Sequence, residues 1–206
     1  MHRTATHFLQ GLDSDWAKAI KTVGPCTHRP PAGREPHEAL ARAVAYQQLT
    51  PKAGDAILKR LVACAGGTFP TPAKLLTMPV ESLRACGFSA RKAATLQAIA
   101  QGALDGLVPS SAAARTMADE ELVACLTTLK GIGRWSAEIV LIFGLGRMDI
   151  LPVDDYGVRE GYRLLKNLPQ APTPAALRAV GQNWAPHRTV ASWYLWHLPR
   201  PAKKRA

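Results

Sequence analysis

Apolar residues along this chain recur at helical spacing almost throughout, and the alternation expected of strands is nearly absent. An amphipathic stretch over 9–23 runs up to Gly24-Pro25, a stop signal for one long helix. After a turn-rich segment (Pro30, Pro31, Gly33, Arg34, Pro36) the Ala-rich residues 37–49 predict a second helix. Pro51 suits the first turn of a third, over 51–65, which Gly66-Gly67 breaks. Thr71-Pro72 and Met78-Pro79 open two short helices, the latter closing at Gly87. Ser89 reads as the N-cap of a helix over 90–104, because its hydroxyl can accept an orphan backbone N–H. Further helices are predicted over 118–129, 135–145, 156–166, 174–184 and 186–197.

About ten short helices joined by short loops predict an all-α fold, expected to form two lobes with a cleft between them. We expect residues 1–36 to be an N-terminal helix and loop packing on the C-terminal lobe. Residues 37–105 would form a central lobe and 106–198 the second lobe. Residues 199–206, with Lys203, Lys204 and Arg205, would be a loose basic tail.

Composition narrows the partner. The 206 residues carry 26 Lys and Arg against 15 Asp and Glu, a formal charge of +11, which favours a polyanion: nucleic acid first, an anionic membrane surface second. No apolar run is long enough for a membrane span. Asp13, Asp15, Lys18 and Lys21 stand where a signal peptide needs its apolar region, so none is expected. Cys26, Cys64, Cys86 and Cys125 form no C-x-x-C pair and are expected to be reduced and partly buried.

The chemistry concentrates in 122–159. A helix carrying Leu122, Leu126 and Leu129 runs into Lys130-Gly131-Ile132-Gly133, and another helix begins near Arg134. Two glycines around an apolar anchor, Ile132, allow a tight turn whose backbone N–H groups, with the positive end of the new helix, can hold a phosphate oxygen without reading sequence. Lys130 and Arg134 would add charge. A β-carbon at Gly133 is expected to strain the turn and to block the phosphate. Downstream, Asp154 and Asp155 lie just before the helix from Tyr156. One of them, Asp154, would serve as its N-cap. A carboxylate facing polyanionic DNA makes no contribution to binding, so an acid in this place suggests catalysis.

The run L-x-x-L-x-G-I-G-x-W-S-A, an apolar helix and then Asp149-x-x-Pro152-x-Asp154-Asp155-Tyr156 resembles the helix–hairpin–helix DNA glycosylase superfamily. It is most similar to the 3-methyladenine DNA glycosylase II (alkylation-repair) branch. AVAYQQLTPKAGDAILKRL and LRACGFSARKAATL resemble that branch's QQL helix and wedge loop, so the likeness spans about 37–198. It implies a helix–hairpin–helix glycosylase fold and a catalytic aspartate twenty residues after Trp135, which is Asp155. It places Trp135, Trp196, Tyr46 and Ile139 at the base pocket. The family carries an aromatic where this chain has Ile139, and that difference opens the pocket. Trp193 reads as core. DNA contacts are implied for Lys130, Gly131, Ile132, Gly133, Arg134, for Gln48 filling the space of the extruded nucleotide, and for the wedge loop Phe88, Ser89 and Ala90. Gln47 or Gln48 would satisfy a buried amide, while Arg91 and Lys92 read as a solvated face. The carbonyls of Thr127, Leu129 and Ile132 map onto a monovalent-cation site.

The same resemblance implies the activity. The lysine that bifunctional members use is absent beside the hairpin, so a water-using, monofunctional enzyme is implied. No cysteine follows Cys125, so no iron–sulfur cluster is implied and no cofactor is required. The expected partner is double-stranded DNA with alkylated bases, bound by a monomer without a membrane. That places the protein with the nucleoid in a bacterial cytoplasm, or in the nucleus of a eukaryote. The alternatives are a non-catalytic helix–hairpin–helix DNA-binding module, or a glycosylase for ethenoadenine or hypoxanthine.

Overall fold

The computed structural model describes residues 2–30 and 33–199, and all regular structure among them is helical. The basic tail expected over 199–206 lies, from 200 onward, outside the described residues. The chain divides into two units, one of Met1–Arg29 with Arg147–Ala206 and one of Pro30–Gly146. The hairpin therefore belongs with the helices that precede it, and the expected boundary near residue 105 lies inside the second unit.

The first unit contains α1 (Arg3–Gln10), α2 (Ser14–Val23), and the return helices named below. The single helix expected over 9–23 is two helices. Asp13 starts a new one because its carboxylate accepts the N–H groups of Asp15 (2.9 Å) and Trp16 (3.0 Å).

The second unit holds α3 (Pro36–Tyr46), α4 (Pro51–Cys64), α5 (Pro72–Thr77), α6 (Val80–Ala85), α7 (Ala90–Leu104), α8 (Ser111–Thr116), α9 (Asp119–Thr127) and α10 (Arg134–Phe143). Helix α3 is its centre, packing on α4, α7 and α10. Ala39, Leu40, Ala41, Ala43, Val44 and Ala45 are all buried, the composition of a helix covered on every side. Small side chains there bring backbones close: a β-carbon on Gly144 would lie 2.9 Å from that of Ala39. The short α8, capped by Ser110 at the N–H of Ala113, escaped the sequence pattern because one and a half turns show no period.

The chain then returns to the first unit with α11 (Tyr156–Leu165), α12 (Pro174–Gly181), a 3₁₀ turn (Gln182–Trp184) and α13 (Arg188–His197). Val158, Gly161, Tyr162 and Leu165 form the buried stripe of α11, at i, i+3, i+4 and i+7. Gly161 lets α11 lie directly on α13, since a β-carbon there would sit 2.1 Å from the carbonyl oxygen of Leu195. Trp16 and Trp184 meet edge-to-face, with ring centroids 5.4 Å apart, and Tyr162 packs on Trp184. Trp193 is buried and stacks on His197 at 4.0 Å, a core position.

Candidate nucleic-acid interface and active site

In the second unit α9 ends at Thr127 and α10 begins at Arg134, so the hairpin spans six residues. Ile132 is buried and its N–H closes the turn on the carbonyl of Leu129 (3.0 Å). Lys130, Gly131, Gly133 and Arg134 are exposed around it. Gly133 is the N-cap of α10, and no side chain caps this helix terminus. The glycine that the turn requires is Gly131: its φ is +90°, and a β-carbon would fall 2.2 Å from Thr95 Oγ1. Gly133 has φ −100° with open space beside it, so the strain expected there is absent.

Arg134 is not the cation the sequence suggested. Its guanidinium donates to Glu138 Oε1 (2.9 Å) and Glu120 Oε2 (2.9 Å), tying α10 to α9. The bond to Glu120, then the charges of both carboxylates, raise its pKa further. Lys130 carries the exposed charge of the turn.

Gln47 and Gln48 do not lie on a helix as expected, because α3 ends at Tyr46. Gln47 turns its amide toward the hairpin, donating to Ser136 Oγ (3.1 Å) and the carbonyl of Gly131 (3.3 Å). Gln48 adopts φ +56°, unusual for a residue with a side chain, and leads into Leu49, 42% exposed. Phe88, expected in an open wedge loop, is buried in the core of this unit beside Ile57, Leu83 and Leu96. Ser89 accepts the N–H of Lys92 as the N-cap of α7, and Ala90 is exposed but small. Lys92 is not on a solvated face: it donates to the carbonyls of Gln47 (2.8 Å) and Ala45 (3.3 Å). Tyr46 lays its ring over Gly54 and donates its hydroxyl to Asp55 Oδ1 (2.5 Å); burial, then that bond, push its pKa up to about 12. Trp135 and Ile139 are half-buried on α10.

In the first unit Asp155, not Asp154, caps α11: its Oδ1 accepts the N–H of Val158 (2.8 Å). The same oxygen accepts the indole N–H of Trp196 from α13 (2.9 Å). Asp155 is half-buried, whereas Asp154 is exposed. Gly157 makes room for this arrangement, because a β-carbon there would lie 2.9 Å from Asp155 Oδ1 and 3.0 Å from Trp196 Cδ1. The approach to Asp155 is anchored at Asp149, which accepts the backbone N–H of Arg188 (3.2 Å) and its Nε and NH2 groups (2.7 Å each). Burial alone would raise the Asp149 pKa, but the bonds to Arg188 outweigh it and lower it. Sequence reasoning missed Gly157, Asp149 and Lys92. Asp149 stood inside the motif as a letter without a partner, Gly157 lay one residue past it, and Lys92 looked like any surface lysine.

An all-helical scaffold with a backbone-lined glycine hairpin and a helix-capping carboxylate braced by an indole defines a helix–hairpin–helix protein with a candidate active site. Residues 41–187 match the HhH-GPD superfamily of base excision DNA repair proteins, and the chain belongs to that family. It is 46% identical over 198 residues to DNA-3-methyladenine glycosylase 1 of Schizosaccharomyces pombe, covering 94% of this chain and 86% of that one. It is 34% identical to an alkylbase DNA glycosidase-like protein of the same yeast, covering 98% and 96%. The structure of a 3-methyladenine DNA glycosylase from S. pombe in complex with abasic DNA superposes with a TM-score of 0.89 at 45% identity, covering 94% and 95%.

Proposed function

We propose that this protein is a monofunctional DNA glycosylase that flips and excises alkylated purines, of the 3-methyladenine and 7-methylguanine type, from duplex DNA in base excision repair. The observation that carries the reading is the Asp155 carboxylate, held on one oxygen by Trp196 and Val158 in a chain of this family. The uncapped N-terminus of α10, Gly131, Gly133 and Lys130 hold phosphate without reading bases, as a damage scanner requires. Extruding a damaged nucleotide costs a few kcal/mol, least where pairing is already weak. A base alkylated at N3 or N7 is cationic, and the aromatic face of Trp196, whose indole already bonds Asp155, favours it by stacking. Gln48 and Leu49 fill the gap that it leaves.

The cationic base leaves without being protonated. The bond from C1′ to the base nitrogen breaks, its electron pair goes to the ring, and positive charge develops on the sugar. The Asp155 carboxylate stabilises that charge. Water adds to C1′ and gives up a proton to the Asp155 carboxylate, leaving an abasic sugar and the free base. The carbonyls of Thr127, the last residue of α9, and of Leu129 and Ile132 in the turn are hard oxygen donors that would suit a monovalent cation bracing the hairpin. The enzyme acts as a monomer wherever the chromosome is, in the nucleoid or the nucleus.

Single-turnover excision from duplexes carrying each lesion tests the reading. Asp155→Asn, which still caps α11, is expected to lose about 10²–10³ in rate with its fold intact. Asp154→Asn is expected to stay near the parent rate. No free base from any alkylated duplex would leave a non-catalytic DNA-binding module, and release of ethenoadenine or hypoxanthine alone would change the substrate.

A further inference from the structure

Helix α3 stops abruptly at a conformation that its sequence does not favour. Among the described residues only Gln48 and Asn167 combine a side chain with positive φ. A residue in that position after a helix is most often glycine, because a β-carbon crowds the neighbouring carbonyl. Nothing in Gln48 itself pays for this. The compensation comes from Lys92, near the start of α7 and forty-four residues along the chain. Its ammonium sits at the C-terminal end of α3 and donates to two carbonyls of the last turn, Ala45 (3.3 Å) and Gln47 (2.8 Å). Those carbonyls are the negative end of the helix dipole and have lost their helical N–H partners, so a cation there satisfies both needs. Burial, then the charge of Arg91, lower the Lys92 pKa, consistent with an ammonium drawn into the protein.

The consequence reaches three surface segments. Ser89, two residues before Arg91, caps α7 and starts the helix that carries Lys92. Lys92 fixes the 47–49 turn. Gln47, whose carbonyl Lys92 holds, sends its side chain to Gly131 and Ser136 of the hairpin. Thr95, one turn further along α7, lies directly beneath Gly131. One face of α7 therefore sets the register of the Gln48–Leu49 turn against the phosphate-holding hairpin.

We propose that Lys92 is a positioning residue that holds the strained Gln48–Leu49 turn in a preformed, protruding shape, so that these side chains enter the gap beside a flipped nucleotide without first having to be ordered. The DNA half of this statement rests on the glycosylase reading above; the conformational half does not. Ordering a loop in advance saves the entropy otherwise lost on binding, and the saving falls on the step in which the base leaves the stack.

Two measurements separate these halves. Amide hydrogen exchange of the free protein reads the turn itself, through the N–H of Leu49 bound to Tyr46 (3.1 Å) and that of Gln47 bound to Ala43 (3.1 Å). Lys92→Met, which keeps the apolar stem, is expected to speed exchange at both on the order of tenfold, as for a lost charged hydrogen bond, with α10 unchanged. Lys92→Arg is expected to restore most of the protection. With methylated duplex, Lys92→Met is expected to slow single-turnover excision while affinity for undamaged duplex stays the same. Exchange at Leu49 unchanged in Lys92→Met would overturn the proposal, as would equal losses on damaged and undamaged DNA. If the parent enzyme releases no base, the glycosylase reading fails and the exchange result still decides the role of Lys92. Should Lys92→Met not fold, Lys92→Gln, which retains a donor, is expected to show the same local exchange in smaller measure, and its absence would equally overturn the proposal.

Discussion

The indole N–H of Trp196 donates to Asp155 Oδ1 at 2.9 Å, so the tryptophan that the sequence offered as a stacking surface also aims the candidate catalytic carboxylate. The two residues are forty-one apart in sequence and meet because α11 lies on α13 at Gly161. Trp196→Phe keeps an aromatic ring and removes the donor. We expect excision to slow on the order of tenfold or more, the worth of one hydrogen bond to a charged group, with abasic-DNA affinity nearly unchanged. Gly157→Ala is expected to act in the same direction, because its methyl would push on both partners. Single-turnover rates beside binding to abasic duplex check both.

The two hairpin glycines are expected to fail differently. Gly131→Ala places a methyl against Thr95 in a left-handed backbone, and should cost about 2 kcal/mol or more of stability. Gly133→Ala meets no atom within 4 Å and adopts an ordinary φ, so the fold should hold to within about 1 kcal/mol. On the proposed reading its methyl would stand where a phosphate approaches, so affinity should fall alike for damaged and undamaged duplex. Denaturant unfolding and binding of both duplexes distinguish the two.

Lys130 and Arg134 differ by four residues and by their partners. Removing the exposed Lys130 should reduce the salt slope of DNA binding by about one contact between roughly 50 and 200 mM salt. Arg134→Met should leave the slope unchanged and instead lower stability by about 1–3 kcal/mol, because the buried Glu138 loses the charged hydrogen bond from Arg134. Titrations at several salt concentrations, with thermal unfolding of the same variants, test the contrast.

Asp149 predicts a pH dependence. Its pKa is lowered in the folded state by Arg188, so the unfolded chain takes up its proton first as pH falls. The stabilisation is complete above the unfolded value of about 4 and is lost as pH drops through the lower folded value. Asp149→Asn is expected to be less stable than the parent by about 1–2 kcal/mol at neutral pH, with the gap closing below about pH 4. Urea midpoints of both proteins from pH 7 to pH 3 measure it.

The all-helical class, the cap at Ser89 and the hairpin itself were legible in the chain, because each is a local matter of spacing, capping chemistry and glycine content. Asp155 was singled out too, as a resemblance counted from Trp135. What the chain alone left open depends on partners distant in sequence. Asp154 and Asp155 are equivalent as letters, and Trp196 and Val158 decide between them as the seat of the cap. Arg134 read as a free cation until Glu120 came within reach from another helix. Phe88 read as a wedge until the core closed over it, and Lys92 as solvent-facing until the end of α3 arrived beside it. A side chain's charge and size are written in the sequence. Whether its charge is spent on a neighbour, or its surface is removed from water, is decided only when the helices pack.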